Sequence, residues 1–121
     1  MLKQLRKDVE MAKQLPDSVG EYTTGNQLLL IELTDGVVCY QLENDKIIRR
    51  KLVDTQKDNS METAVWSVPQ AKINWQVWRK QGRGYALEIK TYIEQNTRGH
   101  WQKKMANSHL YFAGGFQKML K

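Results

Sequence analysis

The three-four apolar spacing at the start of this chain stops at Pro16 and does not return, so the fold has one helix to work with and must build the rest from strands and turns. Leu2, Leu5, Val9 and Ala12 form the apolar stripe, and Leu15 stays near it. Lys3, Gln4, Lys7, Asp8, Glu10 and Lys13 occupy the other faces. No Ser, Thr, Asp or Asn precedes Leu2 to accept the first free amides of a helix. The end is marked more strongly. Pro16 cannot continue the backbone hydrogen bonding, and Asp17, Ser18 and Gly20 follow it. The pattern predicts a helix over residues 1–15.

Two hairpin systems follow. Gln27 to Leu33 is a strongly apolar run of strand length. Asp35-Gly36 separates it from Val37 to Leu42, and Asp-Gly between apolar runs signals a tight hairpin. Asn44-Asp45 makes a second turn into Lys46 to Val53. Residues 27–53 therefore read as a three-stranded meander. Asp54 to Met61 is polar and reads as an exposed loop, and Glu62 to Val68 as a short segment anchored by Ala64, Val65 and Trp66. Ala71, Ile73, Trp75 and Val77 then alternate with Lys72, Asn74, Gln76 and Trp78, the period of a half-buried antiparallel strand. Gln81-Gly82-Arg83-Gly84 reads as a glycine turn, Tyr85 to Ile93 as the return strand and Glu94 to Gly99 as a loop. Trp101 to Phe112 comes back to the sheet, and Phe116 to Lys121 is a tail. Residues 71–112 form the second hairpin system.

A chain of 121 residues makes one domain, 1–121, able to bury about two-thirds of its unfolded surface. Its 19 Lys+Arg against 13 Asp+Glu leave a net charge of +6, which favours anionic neighbours. The charge is dispersed in short groups: Arg49-Arg50-Lys51, Arg79-Lys80 with Arg83, and Lys103-Lys104. None is the block of like charges that marks a basic tail.

Little in the chain points to catalysis. Cys39 is the single cysteine and lies in an apolar strand run, so there is no disulfide framework and no cysteine metal cluster. His100 and His109 are too few for a metal motif. Asp54, Asp58 and Asn59 lack the spacing of a calcium loop. Gly82-Arg83-Gly84 lacks the remainder of any phosphate-binding pattern. No catalytic residue, cofactor or metal is expected. Four tryptophans are many for this length. Trp78 falls on the polar face of its strand beside Arg79, where it could stack on bases, anchor a protein contact or cover a second core.

Three stretches together resemble the minor pseudopilins of type II secretion systems and related type IV pilin-like proteins, most of all the J-type pseudopilins. Leu5 to Ala12 resembles the end of the family's long helix, Leu-x-x-Asp-apolar-x-x-Ala. Gly36 to Leu42 resembles its apolar-x-Tyr-x-Leu strand, and Asn44 to Arg50 the turn and following apolar-apolar-Arg strand. The pattern from Val68 to Ile93 fits less specifically. The resemblance implies an α+β domain in which the end of a pilin-type helix packs on antiparallel sheet. It implies a non-enzymatic subunit, stored in the inner membrane with its domain in the periplasm, which assembles with major and minor pseudopilins near a fibre tip. The family's basic leader, cleavage point, methylated aromatic residue and apolar helix are absent from these 121 residues, which read as the soluble part of such a subunit. Leu2, Leu5 and Val9 would then continue a helical bundle seam, or else pack on this domain's own sheet. With Trp78 and Arg79 they are the candidate partner-interface residues. The competing classes are a basic β-rich nucleic-acid-binding module, which includes a DNA-uptake minor pilin, and a small enzyme assembled from scattered residues.

Overall fold

The helix is shorter than its apolar spacing suggests. In the computed structural model, which describes residues 1–43, 45–54, 59–67 and 71–114, α1 spans Leu2–Glu10. Its first turn has no side-chain cap, as the sequence indicates. Ala12 and Leu15 are as buried as Leu5 and Val9, yet they are not helical. The cause is backbone pairing with distant strands. Lys13 N–H donates to Glu32 O at 2.8 Å, Glu32 N–H donates to Gln14 O at 3.1 Å, and Leu15 N–H donates to Gly84 O at 3.2 Å. Residues 13–15 therefore satisfy their backbone groups against strands rather than against the preceding turn.

A short ribbon, β1 (Ser18–Val19) with β2 (Tyr22–Thr23), leads into a four-stranded antiparallel meander of β3 (Leu28–Leu33), β4 (Gly36–Glu43), β5 (Lys46–Asp54) and β6 (Asn59–Ser67). A three-stranded antiparallel sheet follows, made of β7 (Ala71–Lys80), β8 (Arg83–Thr97) and β9 (His100–Phe112). Among the described residues nine strands accompany the nine residues of α1, so the molecule is mostly β. This overturns the expected α+β class with a pilin-type helix. The expectation treated residues 12–15 as helix and assigned Asn59 to Met61 and Glu94 to Thr97 to loops, whereas all of these residues except Ala12 bond to strands. Residues 55–58 of the expected loop, Asn44 of the second turn and the tail 116–121 lie outside the described residues.

The first hairpin is also offset by one residue. Leu33 pairs with Gly36, so Thr34-Asp35 forms the turn and Gly36 opens β4 at φ 150°, a value that suits glycine. The two hairpins of the second sheet close on residue-glycine pairs with positive φ: Gln81-Gly82 at 53° and 80°, and Arg98-Gly99 at 53° and 81°. Gly84 is not part of its turn but lies within β8.

The meander is buried on both faces. One face carries Leu29, Ile31, Val38, Tyr40 and Ile47, which pack with Leu5, Val9, Ala12 and Leu15 and with Ile73, Leu87 and Ile89 of the second sheet. The other face carries Leu30, Cys39 and Leu52 under Val19 and Tyr22 of the β1–β2 ribbon. Double burial explains why β3 reads as an unbroken apolar run instead of alternating. It also accounts for Cys39 as a core residue.

Candidate functional site: the clasp between helix and meander

A carboxylate sits inside the apolar stripe of α1. Asp8 lies three residues after Leu5 and one before Val9, which turns it towards the meander, and only 4% of it is exposed. This corrects the sequence reading, which placed Asp8 on the faces away from the apolar stripe. The spacing did hold the signal, since Leu5, Asp8, Val9 and Ala12 share one i, i+3, i+4, i+7 face.

Four donors meet this carboxylate. Tyr40 OH donates to Asp8 Oδ2 at 2.5 Å, from β4. Arg49 of β5 forks across both oxygens, with Nε donating to Oδ2 at 2.8 Å and Nη2 to Oδ1 at 3.2 Å. Gln4, one turn earlier on α1, donates from Nε2 to Oδ1 at 3.0 Å. Tyr40 and Arg49 face Asp8 from directly paired positions on neighbouring strands. The Tyr40 ring stacks on Trp66 of β6, with centroids 6.3 Å apart and planes 6° from parallel. The network therefore ties α1 to three consecutive strands. Two donors on each oxygen use the carboxylate's accepting capacity, so Asp8 has no free lone pair with which to take a proton from a substrate. Its work is to fix position through a bidentate, charge-assisted contact.

The electrostatics follow from burial. Loss of water pushes the Tyr40 hydroxyl far above its ordinary value, and its hydrogen bond to Asp8 adds to the shift. The same hydrogen bonding raises the Arg49 guanidinium. Burial pushes the Cys39 thiol up. Both Tyr40 and Cys39 are held protonated in the fold while their unfolded counterparts titrate near pH 10 and 8.5. Their stabilising contribution is thus complete below those values and is lost as pH rises through them towards the folded values. Stability is expected to fall first above about pH 8.5 and more steeply above about pH 10, each group adding up to about 1.4 kcal/mol per pH unit. Urea midpoints between these pH values check it. Cys39→Ala should remove the first part of the decline and Tyr40→Phe the second.

The sequence-predicted interface residues do not gather in one place. Leu5 and Val9 are buried against the domain's own sheets, and Leu2 packs at the margin of the same core, so the local-packing alternative describes all three here. Arg79 is not poised beside Trp78 for a phosphate. It holds the crossing segment, donating from Nη1 to Leu15 O at 3.0 Å and pairing through Nη2 with Asp17 Oδ1 at 2.8 Å. Trp78 is 41% exposed and lines an open apolar groove of about 250 Å³ with Tyr85, Ala86, Leu110 and Phe112. A β-bulge between Trp78 and Arg79 separates their roles. Among the described residues no group of three or more His, Cys, Asp and Glu side chains is placed to hold a metal ion, and no helix is long and apolar enough to cross a membrane.

The saturated Asp8 carboxylate holds α1 in one position against the meander. Comparison with known proteins returned no matching family model, no matching curated protein and no matching solved structure.

Proposed function

We propose that this chain is the head of a structural subunit of a pseudopilin-type fibre. In this reading it is non-enzymatic and assembles with major and minor pseudopilins. It is tied to the inner membrane by an apolar helix continuous with α1, and its head lies in the periplasm. The observation that carries the reading is the meeting of Asp8, Tyr40 and Arg49. Each is the polar member of one of the three stretches that resemble the family, and they lie 32 and 41 residues apart along the chain. Three unrelated loose patterns would have no physical reason to place their polar residues on one carboxylate. A common task gives the reason: a helix that is pulled, turned or packed in a fibre must carry its head rigidly with it. Apolar contacts alone tolerate sliding, whereas a bidentate Arg-carboxylate contact with a tyrosine donor sets one register.

The test is photo-crosslinking in the native host, from exposed α1 positions Lys3 and Lys7, with the protein at its natural level. Adducts with identified pilin-like subunits in the membrane fraction are expected. Recovery from the aqueous fraction with no pilin-like adduct sinks the reading.

A further inference from the structure

We propose that the outer part of the β8–β9 hairpin is an arm that enters the major groove of duplex DNA. The two strands run 15 and 13 residues, but β7 pairs with β8 only as far as Ala71 opposite Ile93. Beyond that point Glu94–Lys103, Gln95–Gln102, Asn96–Trp101 and Thr97–His100 pair with each other alone. Arg98-Gly99 closes the end. No third strand flanks these rungs among the described residues. At ~3.4 Å per residue the ribbon projects by about 13 Å.

Its side chains explain what it fits. A two-stranded ribbon that buries no core is stable only as an extension of a sheet, and this one spends its residues on charge and exposed aromatic surface. Arg98, Lys103 and Lys104 are all exposed. Successive residues of a strand point to opposite faces, so Lys103 on the arm and Lys104 at its base, opposite Ile93, put a cation on each face while Arg98 sits at the tip. Lys103 Nζ rests 4.3 Å from the centre of the Tyr92 ring. Glu94, the acid among these rungs, is neutralised by Lys72 at 2.7 Å. Trp101 stands on the Lys103 face and is 69% exposed.

Charge complementarity calls for a polyanion, and the placement of the charges selects its shape. A lipid surface or an acidic protein face meets one side of a ribbon. Dipping the tip into hydrocarbon would bury Thr97, Arg98 and His100, which is costly for the charge. A groove walled by phosphates on both sides meets both faces and the tip at once. The B-DNA major groove is about 12 Å wide and admits a two-stranded β-ribbon. Lys103 and Lys104 would reach opposite phosphate walls, and Trp101 would supply apolar contact to base edges. This surface does not depend on the fibre reading: a subunit outside any fibre could carry it, and the fibre reading survives its failure.

The experiment measures binding of the chain to a short fluorescent duplex, to the matching single strand and to vesicles rich in anionic lipid, across about 50 to 200 mM salt. Duplex binding is expected to be the tightest, with log K falling against log salt at a slope of about −3, as for three neutralised phosphates. The variant R98N/K103Q/K104Q should weaken duplex binding at least tenfold and flatten that slope. Asn tolerates the positive φ of Arg98, so the turn is kept. An unchanged urea midpoint verifies the fold, and K103R/K104R should retain binding. Equal binding by wild type and triple variant overturns the proposal. So does tighter binding to the single strand, which would make Trp101 a stacking platform, or to vesicles.

Discussion

Replacing Asp8 with alanine is expected to destabilise the domain by about 3–5 kcal/mol, the range seen when one partner of a buried ion pair is removed. The size comes from what remains. Arg49 keeps its charge with 16% of its side chain exposed, and Tyr40, Arg49 and Gln4 all lose their acceptor together. Asp8→Asn should cost less, because it preserves shape and one acceptor oxygen while losing the charge. The informative partner is Arg49→Met. Combined with Asp8→Leu it should recover part of the loss of each single change, since a matched apolar pair leaves no charge stranded. Urea unfolding followed by tryptophan fluorescence measures all of these, with Trp66 stacked on Tyr40 as a local reporter. A loss below about 1 kcal/mol for Asp8→Ala would show that apolar packing alone holds α1 in place.

Gly84→Ala is the second large effect, expected to cost about 3 kcal/mol or more, at or above the usual overpacking penalty. A Cβ at this position would lie 2.3 Å from Leu15 O, 2.8 Å from Leu15 Cβ and 2.9 Å from Val77 Cγ1. The nearest atom is backbone and cannot swing away. Leu15 N–H is bonded to Gly84 O, and Leu15 O is held by Arg79. Relief therefore requires the crossing segment to lift off β8, which would take the buried Leu15 with it. Gly25→Ala is the control, because nothing lies within 4 Å of that position and its backbone is ordinary. Equal thermal midpoints for the two variants would mean that the contact at Gly84 is not a close one.

The parts of the fold that were legible in the sequence are those that depend on neighbours along the chain. The alternation from Ala71 to Trp78 predicted the inward face on which Ile73 is buried and Trp75 and Val77 are half-buried, because side chains in a strand alternate whatever the rest of the molecule does. The β3–β4, β4–β5 and β7–β8 hairpins were found from their turn residues, although Thr34-Asp35 rather than Asp35-Gly36 makes the first turn. The parts that were not legible depend on distant partners. Ala12 and Leu15 kept helical spacing while the amides of Lys13 and Leu15 were claimed by Glu32 and Gly84. Asp8 was read as lying off the apolar stripe because its reason for burial, Arg49, lies 41 residues away. Arg79 looked free for the same reason: Leu15, its acceptor, lies 64 residues upstream.

The crossing segment also sets an order of events. The meander and the second sheet are both built from consecutive hairpins, which close short loops and form early. The stretch that joins them, residues 13–15, precedes both sheets in the chain and is completed last. During synthesis, Leu5, Val9, Ala12 and Leu15 remain without their full set of neighbours until Gly84 and Leu87 have emerged. For that interval the nascent chain displays an amphipathic segment, so residues 1–15 are the place where a chaperone would hold this protein.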